Sequence, residues 1–248
     1  MILSLLQGGS LRNTVITLLL TLPVILIALV FHEVAHGYAA WKCGDPTAHN
    51  LGRLTLNPLK HLDPIGFLTM LLVGFGWAKP VPINTRYFRN PKRGMAITAV
   101  AGPLANLVLG VLSTIFCALF AALYIEISIT SGQGFLLNCV YWLKEISLIS
   151  ALINFMLMAF NLIPIPPFDG SRLAFAFLPP KYYFAIMRYE RQIMYGILIT
   201  LVALSFLFDF SPSYWIAEKL ANLIYVPTHR LFCHWFLPED IFRYLFGR

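Results

Sequence analysis

The sequence is poor in charge. Asp, Glu, Lys and Arg make up 12% of its 248 residues, about half the share of an ordinary soluble domain. A chain that is 58% AVILMFWYC, with a mean hydropathy of +0.74, cannot bury all its apolar surface in one soluble core. This excludes a disordered chain, a coiled coil and an ordinary cytosolic enzyme. Cysteine is scarce too. Cys43, Cys117, Cys139 and Cys233 form no CxxC pair and no framework, so no disulfide scaffold is expected. There is no arginine-rich arm and no zinc-finger spacing. The net charge of +7 is carried mainly between apolar runs, which suits loops facing anionic lipid rather than nucleic acid. Nor does the first apolar run read as a signal peptide. It is too long, and it leads into ionisable residues instead of a small-residue cleavage site.

What is present is a series of apolar runs. The first covers 14–31, and helix is expected to continue through HEVAHGYAAW to Trp41, with Pro23 a possible kink. From Thr14 to Trp41 that is about 42 Å of helix at 1.5 Å per residue. The hydrocarbon core is about 30 Å thick, so this span tilts or emerges at one end. Runs at 94–125, 146–168 and 194–208 read as further spans. The glycine-rich run at 65–78 is below the roughly 17 residues needed to cross and reads as re-entrant. Basic residues agree. The stretch 42–93 carries Lys42, Arg53, Lys60, Lys79, Arg86, Arg89, Lys92 and Arg93, 169–191 carries Arg172, Lys181, Arg188 and Arg191, and 126–143 carries none. The positive-inside rule then puts 42–93 and 169–191 in the cytoplasm, and 126–143 and the N-terminus outside. Segments 213–226 and 229–247 mix aromatic residues with charge, as interfacial helices do.

Two short strands are expected between the first and third runs. In 52–57, Arg53, Thr55 and Asn57 alternate with Leu54 and Leu56. The stretch 80–84, with Pro80 and Pro82, reads as an extended edge. The fold class is therefore an all-α polytopic membrane protein of about four spans, with a re-entrant segment and short β-strands. A single membrane-embedded domain is expected over 1–248. Its core is about 14–181, and 182–248 supplies an extra span and interfacial helices.

Chemistry concentrates in His32-Glu33-Val34-Ala35-His36. Residues i and i+4 share one helix face, so two imidazoles can grip one zinc ion, with Glu33 beside them as a proton acceptor. Ionisable side chains in an apolar helix are costly and point to function. Catalytic zinc takes three protein ligands. Asp169 is the candidate third, because it follows the proline-broken stretch NLIPIPPFDG at 161–170 and such breaks at membrane depth surround a cavity. His49 and His61 are rivals. Thr98, Gly102, Asn106, Gly110 and Thr114 repeat at i+4 and form a small, polar-tolerant stripe suited to close helix packing. Asn106 in its middle could contact substrate or an oxyanion, or make an interhelical hydrogen bond. Asn154 and Asn161 share a helix face, where they could line the same cavity or pair with each other.

Together these pieces resemble the site-2 protease family of intramembrane zinc metalloproteases. The matching stretches are HEVAHG at 32–37, GDPTAHNLGRLTLNPLKHLDPIG at 44–66, GWAKPVPIN at 76–84, AGPLAN at 101–106 and NLIPIPPFDGSR at 161–172. They are most similar to the compact prokaryotic branch without PDZ or CBS domains. The resemblance implies one zinc ion within the membrane held by His32, His36 and Asp169, with Glu33 as the base. It implies an endopeptidase that cuts in or near transmembrane segments, with a membrane-protein substrate and the lipid bilayer as partners. It also implies a prokaryotic cytoplasmic membrane, with the active site toward the cytoplasm. A substrate strand could add to 52–57 or 80–84. The alternative is a non-proteolytic, metal-dependent binding or transport protein that keeps the fold. Other membrane metalloenzymes fit less well: a histidine-box desaturase needs more than the six histidines present, and no glutamate-centred motif suits a prenyl-protein protease.

Overall fold

The computed structural model describes residues 10–73, 76–130, 132, 134–174, 179–207, 215, 219 and 221–239. They belong to two compact units, one formed by Met1–Asn106 with Leu157–Ser213 and the other by Leu107–Met156 with Tyr214–Arg248.

In the first unit, helix α1 runs over Leu11–Lys42 with Pro23 inside it. It is apolar nearly all round, as a lipid-embedded helix is. Its buried positions nevertheless include Val24, Ala28, His32, His36 and Ala40, which recur every four residues and define one inward stripe. The Cys43 N–H closes the helix on the Ala39 carbonyl at 3.0 Å. Gly44, at φ +113°, then turns the chain where a Cβ would stand 2.9 Å from the Tyr87 carbonyl oxygen, a conformation natural to glycine.

A short helix α2, Thr47–Asn50, and a 3-10 turn, Pro58–Lys60, lead to α3, Pro64–Val73. Asp63 Oδ1 accepts the Gly66 N–H at 2.8 Å and caps α3. The chain then returns to where α3 began. Leu62 and Ala78 form an antiparallel bridge, the Lys79 N–H donates to the His61 carbonyl at 2.8 Å, and a Cβ on Gly76 would fall 2.1 Å from the Gly66 carbonyl oxygen.

The expected strands at 52–57 and 80–84 do not form: among the described residues there is this single bridge and no sheet. Two causes are visible. Pro80 and Pro82 have no N–H, so the segment cannot sustain a ladder. The carbonyls of Lys79 and Pro80 are taken by Arg53 Nη2, at 2.9 and 3.3 Å.

Helix α4 occupies Pro91–Thr130, with Pro91 in its first turn and the Asn90 side chain accepting the Arg93 N–H at 3.1 Å. Helix α5 follows at Phe135–Asn161. Most of the stretch 126–143 expected outside is therefore helix: α4 runs on to Thr130 and α5 starts at Phe135, with no breaker over 135–145. Gly132, between them, has φ +66°. Among the described residues α1, α4 and α5 are the helices long and apolar enough to cross a membrane.

Three more helices belong to the first unit: α6, Asp169–Ala174; α7, Pro180–Met187; and α8, Glu190–Leu207. In the second unit, α9, Val226–Phe236, places Cys233 in a core with Ala118, Ala122 and Leu237. Much of the expected interfacial segments lies outside the described residues.

Candidate metal centre

Three side chains meet in the first unit. His32 Nε2 and His36 Nε2 each stand 3.0 Å from Asp169 Oδ2 and 2.9 Å from each other. All three residues are buried to within a tenth of their surface. The histidines come from the inward stripe of α1, one turn apart. Asp169 comes 137 positions after His32, from a turn that follows the end of α5. Pro164, Pro166 and Pro167 interrupt the helical bonding, and the chain folds through Ile165 N–H to Ile163 carbonyl (2.8 Å) and Phe168 N–H to Ile165 carbonyl (3.1 Å).

The other side of each imidazole faces α4. His36 Nδ1 lies 2.7 Å from the Thr98 carbonyl oxygen. A carbonyl can only accept, so Nδ1 carries the proton and Nε2 of the neutral ring presents a lone pair. His32 Nδ1 lies 2.6 Å from Asn106 Oδ1. Between these two contacts sits Gly102, where a Cβ would stand 2.3 Å from His36 Nε2 and 2.6 Å from His32 Cε1. The i+4 stripe read from the sequence as a packing surface thus includes three positions that seat the histidines.

Glu33 lies beside the cluster. Its Oε2 accepts the backbone N–H of Val81 at 2.8 Å. The same extended segment is pinned again at Asn84, whose N–H donates to Asp45 Oδ2 at 2.6 Å. Asp45 is wholly buried. Neither Val81 nor Asp45 was singled out from sequence. The signal for Val81 was its place as the N–H donor between two prolines.

The rival ligands lie elsewhere. His49 is exposed and stacks on Trp41, ring centroids 4.9 Å apart. His61 is buried, its Nε2 2.9 Å from the Thr55 carbonyl oxygen. Asn154 and Asn161 each donate to the carbonyl one turn back, those of Ser150 and Leu157, at 2.9 Å.

The chain is 38% identical over 156 residues to YwhC of Bacillus subtilis, which carries a provisional zinc-metalloprotease name. The match covers 63% of this chain and 68% of YwhC. This chain belongs to the site-2 protease family of zinc metalloproteases. It is also 32% identical over 151 residues to Rip2 of Mycolicibacterium smegmatis, provisionally named likewise, covering 58% of the chain and 52% of that relative. To the zinc metalloprotease MJ0392 of Methanocaldococcus jannaschii it is 29% identical over 175 residues, covering 71% of the chain and 39% of MJ0392. The site-2 protease chain thus spans about half of Rip2 and less of MJ0392. No family model matches it, and no solved structure does.

The donor set fits the metal that these names imply. Two imidazole nitrogens and a carboxylate oxygen are a known catalytic zinc set. They converge at 2.9–3.0 Å, and with both Nδ1 atoms engaged by α4 they form a buried triangle of acceptors suited to a small cation. Among the described residues no other group of His, Cys, Asp and Glu side chains converges in this way.

Proposed function

We propose that the protein is an intramembrane zinc endopeptidase that hydrolyses peptide bonds in or near transmembrane segments of other membrane proteins. The observation that carries this reading is the position of the triad: two of its three ligands lie on the inward stripe of a helix long and apolar enough to cross a bilayer. His32, His36 and Asp169 would hold one zinc ion. When bound, zinc supplies Lewis acidity and makes a water a competent nucleophile near neutral pH. Glu33 takes a proton from the attacking water and returns it to the leaving amine. The Val81 N–H holds Oε2 and so leaves Oε1 for this work. A binding or transport protein would have no use for a carboxylate in that place.

Depth follows from helix geometry. His36 and His32 lie about 9 and 15 Å along the helix from Lys42, at 1.5 Å per residue. With the basic 42–93 region in the cytoplasm, the site sits inside the cytoplasmic half of the bilayer. The return of 63–77 to its own starting point, at the Leu62–Ala78 bridge, supports a re-entrant segment there, and α8 is the proposed fourth span. The membrane is a prokaryotic cytoplasmic membrane, and the whole chain acts as one domain.

The test is cleavage-site mapping by mass spectrometry. Purified protein and membrane-spanning substrates are reconstituted together in liposomes, with Glu33→Gln as the control. Cuts in the cytoplasmic third of the substrate helix that vanish in the control are expected. Cuts in the external third, or cuts that persist in the control, would overturn the proposal.

A further inference from the structure

The amide of Asn106 is held from both ends. Its Nδ2 donates to the Ala28 carbonyl at 3.3 Å, and its Oδ1 lies 2.6 Å from His32 Nδ1. Ala28 and His32 are successive positions of the inward stripe of α1, so one side chain of α4 bridges a single turn of the metal helix. A carbonyl oxygen cannot donate, so the Ala28 contact fixes which end of the amide is the NH2 group. Oδ1 must then face His32, and Oδ1 can only accept. Asn106 is also 0% exposed, which leaves no surface for a substrate.

We propose that Asn106 is a positioning residue. It dictates the tautomer of His32, placing the proton on Nδ1 and the lone pair on Nε2, and so presets this ring for metal before metal arrives. This deepens the zinc-protease reading and rests on it. Of the two readings the sequence left open for this residue, it favours an interhelical hydrogen bond over a substrate or oxyanion contact, and it makes the two histidines equivalent. One is oriented by a backbone carbonyl of α4 and the other by a side-chain carbonyl two turns further along.

The test uses the full chain in detergent and reads zinc affinity by chelator competition and the visible spectrum of the cobalt(II) form. Loss of a hydrogen-bond partner behind a ligating histidine typically costs 10–100-fold in metal affinity. Asn106→Leu should weaken zinc binding by that factor and alter the cobalt spectrum. Asn106→Asp, which keeps an acceptor for Nδ1–H, should escape most of this about 10–100-fold loss. Wild-type affinity and spectrum in Asn106→Leu, with only turnover reduced, would overturn the proposal in favour of a substrate contact. If Asn106→Leu does not fold, Asn106→Asp decides: a loss of tenfold or more in zinc affinity counts against the tautomer role. Wild-type protein that binds zinc yet cuts nothing would defeat the protease reading and leave this one standing.

Discussion

Glu33 and Val81 are 48 positions apart in the chain, yet the carboxylate of one accepts the backbone N–H of the other at 2.8 Å. The donor sits between Pro80 and Pro82, neither of which has an N–H. The segment therefore offers one donor at this point, and Glu33 takes it. Glu33→Gln can keep this bond through its amide oxygen, whereas Glu33→Ala cannot. Hydrogen exchange at the Val81 amide should be unchanged in the first variant and accelerated in the second. Hydrolysis should fall about 10²–10⁴-fold in both, as expected for loss of a general base. Equal protection of Val81 in both variants would show that the contact does not order the loop.

Two glycines of one helix stripe should fail in different ways. A Cβ at position 102 would meet His36 Nε2 at 2.3 Å, and one at 110 would meet Phe155 at 2.7 Å. Gly102→Ala should abolish or strongly weaken zinc binding. Gly110→Ala should lower thermal stability by about 1–3 kcal/mol, the usual cost of overpacking, with zinc content retained. Metal analysis and thermal denaturation of the two purified variants, side by side, would separate these outcomes.

The ligand set makes its own forecast. Asp169→Ala, His32→Ala and His36→Ala should each lose the metal, because catalytic zinc sites use three protein ligands. His49→Ala should keep it, since His49 lies at the surface, stacked on Trp41 and 3.4 Å from Asn50 Oδ1. His61→Ala should also keep it, since His61 bonds to the Thr55 carbonyl. Zinc content of the five purified variants decides the matter, and loss of metal in either of the last two would reopen the choice of third ligand.

Thiol chemistry gives an independent check on the second unit. Burial, with Cys117 nearby, pushes the Cys233 thiol up to about 12. Only the thiolate reacts, so the thiol stays protonated, and inert, at all pH values well below that. Cys43 and Cys139 are partly exposed. At pH 8 a maleimide should label Cys43 and Cys139 well before Cys233, and raising the pH to 9 should not bring Cys233 level. Rapid labelling of Cys233 in folded protein would contradict the packing of α9.

The parts of the fold that were legible in the sequence are those written in local spacing. His32 and His36 share a face because four residues make about one turn, and Asp169 stood out because prolines break the helix before it. The end of α4 was hidden because apolar composition does not mark helix ends. Lys144 and Glu145, which lie outside the apolar run at 146–168, pair at 2.8 Å within α5. The strand at 52–57 failed because alternation says nothing about whether a partner edge has donors left. The role of Asn106 was undecidable from sequence, because an asparagine amide serves equally as donor and acceptor until its neighbours are known.

Gly170 holds no metal and offers no functional group, yet a Cβ there would collide with two main-chain oxygens, those of Leu162 at 2.4 Å and Ile163 at 2.5 Å. Backbone atoms cannot swing aside as a flexible side chain can. Any substitution at 170 must therefore shift the turn that delivers Asp169, the residue next to it. In a saturation screen scored by proteolysis, position 170 should tolerate as little as the ligands themselves. Such a screen would thus score position 170 alongside the zinc ligands, although its residue holds no metal.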